Sequence, residues 1–122
     1  MAWTTGKVAL PELVEASDDL GLKAKQLADL IRQSKHFIVF TGAGISTSAG
    51  IPDFRGPEGA WTLQAQGRQR TTAAVSTLQA IPTATHMALV ELQNQGLMKY
   101  LVSQNCDGLH RRSGILPVGH FK

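Results

Sequence analysis

TGAGISTSAGIPDFRG, residues Thr41–Gly56, decides how this chain is read, because it follows directly on the apolar run Phe37-Ile38-Val39-Phe40. A short run of β-branched and aromatic residues bounded by turn formers reads as a buried strand, covered on both faces of its sheet. The glycines mark where that strand ends. Gly42 and Gly44 are free to take positive φ and to let backbone N–H groups approach a ligand that a Cβ would hold away. Ile45 to Ala49 read as the first turn of a helix, whose unpaired N–H groups and positive dipole end favour an anion. The stretch reads as a cradle for the phosphates of a nucleotide.

Working outward, residues 1–21 show no sustained period and read as an irregular lead-in. From Leu22 to Ser34 the residues Leu27, Leu30, Ile31 and Ser34 fall on one side and Lys25, Asp29 and Arg32 on the other. That is the pattern of a surface helix packed on a sheet. Ile51 to Arg70, rich in proline and glycine, reads as a long loop, a feature that in compact domains is usually functional or disordered. Pro82-Thr83-Ala84-Thr85 opens a further helix carrying Met87, Leu89, Val90 and Leu92, which Gly96 ends. Met98 to Asn105 reads as a second strand. Strand, helices, strand predicts a right-handed parallel βαβ unit, which brings both strand C-terminal ends, Thr41 and Gln104, to one edge. Ligands of open α/β sheets bind at that edge.

The chain has 122 residues, enough for one domain with a modest core. Its 43% hydrophobic and 17% charged residues exclude a disordered class. The net charge of +3 is uneven: residues 1–53 carry five Lys/Arg against six Asp/Glu, and residues 54–122 seven against three. A weakly basic second half suits an anionic cofactor and is no nucleic-acid stripe. One cysteine, Cys106, excludes an intramolecular disulfide and a Cys-rich zinc site within the chain. No apolar stretch is long enough to span a membrane and the first residues lack a signal segment, so a soluble intracellular protein is expected.

Gly42-Ala43-Gly44 is a G-x-G, but the third glycine of the dinucleotide fingerprint falls on Thr47 and no acid follows at the usual distance. On those residues alone a helix-packing glycine turn competes equally with a nucleotide site. Asp53-Phe54-Arg55 sets a carboxylate, an aromatic face and a guanidinium side by side, able to polarise, stack on and neutralise a nucleotide. Trp61 reads either as an exposed loop residue that covers a ligand or as a loop anchor on the core. Gln104, Asn105 and Asp107 cluster hydrogen-bonding side chains suited to ribose hydroxyls and an amide, though Asn and Asp also satisfy the backbone of ordinary turns.

TGAGISTSAGIPDFRGPEGAW, PTATHMALVEL and LVSQNCDGLHRRSG together resemble the N-terminal half of a sirtuin catalytic core, from about Leu27 to Gly114, and most of all its nuclear, chromatin-associated branch. The resemblance implies an incomplete Rossmann-like α/β fold with a parallel sheet: residues 1–26 as a lead-in and start of the first helix, 27–114 as a partial NAD-binding domain, and 115–122 as a divergent tail. It implies a protein lysine deacylase that consumes NAD and yields nicotinamide, deacylated lysine and O-acetyl-ADP-ribose, acting on histone-like acylated proteins in the nucleus, with the cytoplasm as the alternative. By position, Ala43, Gly44 and Thr47 border the NAD phosphates and ribose, with Ser46 nearby. Phe54 and Arg55 belong to a mobile cofactor loop, and Trp61 lies further along it. Asp53 and Asn105 surround the nicotinamide pocket, Asp107 closes it, and Gln104 meets a ribose.

The resemblance also implies what to expect missing. The family's general-base histidine sits in a Leu-His-Gly element; here His120 arrives too early and Phe121 follows it, so no catalytic histidine is assigned. The two CxxC pairs of the family's zinc module have no counterpart, so no metal ligand is assigned either. His86 and His110 read as packing or capping residues. A truncated form with bare sheet edges, weakly active or inactive, is expected, with a non-catalytic NAD-binding or regulatory fragment as the alternative.

Overall fold

The computed structural model describes residues 13–117. The element order is α1 (Ser17–Gln33), β1 (Phe37–Thr41), a 3₁₀ helix (Ala43–Ala49), α2 (Ala60–Gln66), α3 (Ala84–Asn94), β2 (Met98–Ser103) and α4 (Leu109–Arg112). β1 and β2 pair in parallel, Ile38 with Tyr100 through Thr41 with Ser103, after an irregularity between Phe37 and Ile38. The expected βαβ unit and small parallel sheet are therefore present, and the C-terminal ends of both strands share an edge.

Four local expectations are corrected. α1 begins at Ser17 rather than after the lead-in, with Asp18 and Asp19 in its first turn, where carboxylates favour the positive end of the helix dipole. It does not bury its apolar side: no α1 residue is buried, and Leu27 and Leu30 stay 57% and 65% exposed. The expected covering of β1 on both faces is also absent among the described residues. Phe37 and Val39 are half-buried and Thr41 is buried, while Ile38 and its partner Tyr100, and Phe40, remain exposed, the alternation of a strand covered on one face. The long loop from Ile51 to Arg70 contains α2, whose first N–H groups, of Ala60 and Trp61, are accepted by the Asp53 and Phe54 carbonyls at 3.1 and 2.9 Å. Main-chain capping of that kind leaves no side-chain signal in the sequence.

The core is small, in keeping with the length: among the described residues Leu63, Ala80, Leu89, Met98 and Leu109 are the buried apolar ones. A buried polar seam runs beside it. Thr83 caps α3 by accepting from His86 N, and its backbone N–H donates to His86 Nδ1 at 3.2 Å, a capping box in which histidine replaces the usual Glu or Gln. The His86 ring meets His110 edge-on at a centroid distance of 4.7 Å, and His110 Nε2 lies 2.8 Å from Thr41 Oγ1 at the end of β1. Thr83 Oγ1 in turn donates to the Ile45 carbonyl at 3.1 Å. α3, α4, β1 and the 3₁₀ helix are thereby tied beneath the strand tips.

Candidate functional site

The glycine turn differs from its sequence reading in detail. Gly42 is extended, with φ −135°, and neither it nor Gly44 takes a positive φ. The chain instead coils at once into a seven-residue 3₁₀ helix, two residues earlier than expected. Gly50 is the residue that needs glycine: it ends this helix at φ +84°, and a Cβ there would sit 2.4 Å from Val75 Cγ2. A Cβ on Gly44, by contrast, would meet nothing within 4 Å.

The two strand tips are joined through the next residues. Ser46, 1% exposed, donates its hydroxyl to Asp107 Oδ2 at 2.6 Å. Asn105 Nδ2 donates to the Gly42 carbonyl at 3.0 Å and reaches Ser46 Oγ at 3.4 Å. Asp107 Oδ1 accepts from Leu109 N at 2.9 Å and so starts α4. Gln104 N donates to the Thr41 carbonyl at 3.1 Å, extending the ladder by one residue, and its Oε1 lies where a Gly42 Cβ would meet it at 3.6 Å. The polar cluster and the glycine turn, some sixty residues apart in sequence, form one hydrogen-bonded unit.

On the other side of the 3₁₀ helix lies an open cavity of about 500 Å³, lined among others by Gly44, Thr47, Gly50, Asp53, Glu58 and Arg70. Of the residues singled out in the sequence, Gly44, Thr47 and Asp53 face this cavity; Ser46, Gln104, Asn105 and Asp107 do not line it, and Ala43 begins the helix between the two. Thr47 Oγ1 donates to the Gly44 carbonyl at 2.9 Å, which holds the helix face. Asp53 Oδ1 accepts from Gly56 N at 3.0 Å, closing a turn, and Gly59 packs so tightly on it that a Cβ would come within 2.6 Å of the Phe54 carbonyl carbon.

That turn presents the rest of the triplet. The Phe54 ring lies 5.0 Å from the Trp61 ring, and the Arg55 guanidinium sits 4.6 Å over Trp61. Trp61 is half-exposed on α2, neither a loop residue nor a core anchor: it braces Phe54 and Arg55, which are themselves exposed.

Two cavity residues were missed by the sequence reading. Glu58 accepts from Arg68 at 3.0 Å and from the backbone N–H and hydroxyl of Thr71 at 3.3 Å each, so its carboxyl is held below its ordinary range, chiefly by the Thr71 backbone. Arg70 donates Nη2 to the Glu58 carbonyl at 3.3 Å. The signal available was the basic run Arg68-Gln69-Arg70 next to a lone acid, which does not by itself reveal a fold-back. Neither His86 nor His110 faces the cavity, and burial pushes the pKa of both below the ordinary value, which keeps them neutral near pH 7. His120 lies outside the described residues. Among the described residues, no group of three or more His, Cys, Asp or Glu is placed to hold a metal ion, and no helix is long and apolar enough to cross a membrane.

The family model described as the Sir2 family matches residues 68–121. "NAD-dependent protein deacetylase SRT1" of Arabidopsis thaliana is 56% identical over 110 residues, covering 90% of this chain and 23% of that protein. "NAD-dependent protein deacetylase sirtuin-7" of Homo sapiens is 49% identical over 104 residues, 85% of this chain and 26% of that protein. Among solved structures, "Sir2-p53 peptide-NAD+" superposes with a TM-score of 0.59 at 33% identity, covering 75% of this chain and 42% of that one. "Structure of Sir2Tm bound to a propionylated peptide" gives 0.58 at 33%, covering 77% and 42%. The chain thus spans about a quarter of the length of these curated relatives.

Proposed function

We propose, from the premise that this chain belongs to the Sir2 family and carries part of its catalytic domain, that it binds NAD and serves NAD-dependent removal of acyl groups from protein lysines. The observation that carries this reading is the joining of the two strand tips, Ser46 to Asp107 and Asn105 to Gly42, beside a cavity lined by Gly44 and Thr47. The residues present fit the cofactor: a Cβ on Gly44 would enter open space on the cavity wall, and Arg70 carries a buried Nε without a partner among the described residues.

In this reading Ala43, Gly44 and Thr47 border the phosphates and ribose, and Ser46 supports them from below. Arg55, held over Trp61, neutralises phosphate charge, while Phe54 offers an apolar cover that excludes water. Asp53, Asn105 and Asp107 surround the nicotinamide end, and Gln104 offers its amide to a ribose hydroxyl. NAD, when bound, supplies an activated ribosyl group that accepts the acyl oxygen. The chain's part is to orient that bond, fix dipoles where positive charge grows, and keep water away. Histone-like substrates, chromatin and a nuclear location belong to the same reading through the branch resemblance.

Incubating the chain with NAD and an acetylated histone peptide tests it: nicotinamide release above that of an Arg55→Ala variant is expected. Equal release by both, together with no calorimetric heat from millimolar NAD, overturns it. A second reading, NAD binding without turnover, is favoured by one observation: His86 and His110 are both buried in structural hydrogen bonds and so are not placed to act as a general base. Heat with NAD but no nicotinamide selects that reading, and cell fractionation checks the compartment.

A further inference from the structure

The cavity beside the 3₁₀ helix contains a cation that none of the three family-like motifs includes. Its two carboxylates are already engaged: Asp53 accepts from Gly56 N, and Glu58 accepts from Arg68 and from Thr71. Arg68 is paired with Glu58 at 3.0 Å. Arg70 is different. It lines the cavity and is half-buried, it donates Nη2 to the Glu58 carbonyl, and its Nε is buried with no hydrogen-bond partner among the described residues. A guanidinium cannot shed its charge, and a buried N–H of this kind calls for an acceptor. The main-chain anchor on Glu58 fixes one arm of the fork, so the remaining donors are held in place before a ligand arrives. Thr72, which also lines the cavity, adds a hydroxyl that can donate to the same group.

We propose that Arg70 is an oxyanion-binding residue of this cavity, closing its free N–H groups on a phosphate or carboxylate carried by the ligand. The inference rests on the NAD reading only for which oxyanion is bound, the cofactor's pyrophosphate or a carboxylate on the acyl group or peptide. Arginine suits either, because its planar fork matches both geometries.

The experiment measures binding of ADP-ribose, inorganic pyrophosphate and glutarate to the full chain, its Arg70→Gln and Arg70→Lys variants, and Arg32→Gln on α1 as a control, with circular dichroism to verify folding. Removing one charge-assisted hydrogen bond weakens binding roughly tenfold to a hundredfold. That weakening is expected in Arg70→Gln for at least one probe, with partial retention in Arg70→Lys and full affinity in the control. If Arg70→Gln does not fold, a several-fold weakening in Arg70→Lys, whose ammonium cannot form the fork, takes its place. Weakening confined to ADP-ribose and pyrophosphate identifies the cofactor as the source, and weakening confined to glutarate identifies an acidic substrate group. The proposal is overturned if the unaltered chain binds no probe, or if it and the Arg70 variants bind all probes equally. ADP-ribose bound equally by all of them leaves the NAD reading standing without Arg70; pyrophosphate binding abolished in Arg70→Gln with no ADP-ribose binding at all leaves Arg70 standing without the NAD reading.

Discussion

Ser46 and Asp107, 61 residues apart, are joined by a 2.6 Å hydrogen bond that locks the 3₁₀ helix after β1 to the loop after β2. The donor is 1% exposed, so the bond is made away from competing water. Ser46→Ala leaves Asp107 with only the Leu109 N–H and removes an acceptor for Asn105. The expected cost is about 1–3 kcal/mol, read as a lower melting temperature at roughly 4–8 °C per kcal/mol for a small domain. An unchanged melting temperature would show that the bond does not hold the two tips together.

Gly50 and Gly44 separate folding from binding. Gly50→Ala forces a side chain into φ +84° and into Val75, and is expected to cost about 1–3 kcal/mol in a urea titration. Gly44→Ala meets no atom within 4 Å and should leave stability level or raise it by less than about 1 kcal/mol. Calorimetry should nevertheless show weaker NAD binding, because the added methyl stands on the cavity wall.

Stability should fall with acid. Burial lowers the pKa of both His86 and His110 from the ordinary 6.5, with the charge of His110 adding to the effect on His86 and Asp107 opposing it on both. About a unit or more above pH 6.5 both are neutral folded or unfolded and contribute no pH dependence; the dependence sets in as pH falls toward 6.5. Below it the unfolded chain binds protons that the folded chain resists, so stability is lost progressively as pH falls toward the lowered folded values. The slope is at most about 1.4 kcal/mol per pH unit for each histidine. Denaturant midpoints between pH 7.5 and 5.5 check this, and a His110→Leu variant that still folds should show a shallower slope.

Arg55 and Trp61 should divide in the same way. An exposed cation–π pair contributes about 0.5–1 kcal/mol, so Arg55→Ala should barely move the melting temperature while NAD affinity falls. Trp61→Ala should do more, since it removes the surface that braces both Phe54 and Arg55. Its effect on NAD affinity should exceed that of Phe54→Leu.

What could be read from the sequence was local. Phe37 to Phe40 and Met98 onward carry β-forming side chains, and Pro82-Thr83 before an apolar period marks a helix start; the structure has these elements there, with the second strand ending at Ser103, two residues short of the Asn105 expected. α2 escaped because its cap is the backbone of Asp53 and Phe54, and the start of α1 escaped because its first turn is polar. The positive φ expected at Gly42 or Gly44 lies at Gly50, since a G-x-G says that backbone freedom is available without saying where the chain uses it.

Alone, the sequence determined the two strands, the helices before β1 and before β2, and the kinds of polar group brought to the sheet edge, because neighbouring residues set backbone preference and strand ends follow from a parallel crossover; the short helices α2 and α4 it did not show. Only the tertiary structure decided that Ser46 is buried under Asp107 while its neighbour Thr47 faces a cavity, and that Arg70 folds back onto Glu58 to line the same wall. Those outcomes depend on register and on hydrogen bonds between segments far apart in the chain, which no local pattern of side chains specifies.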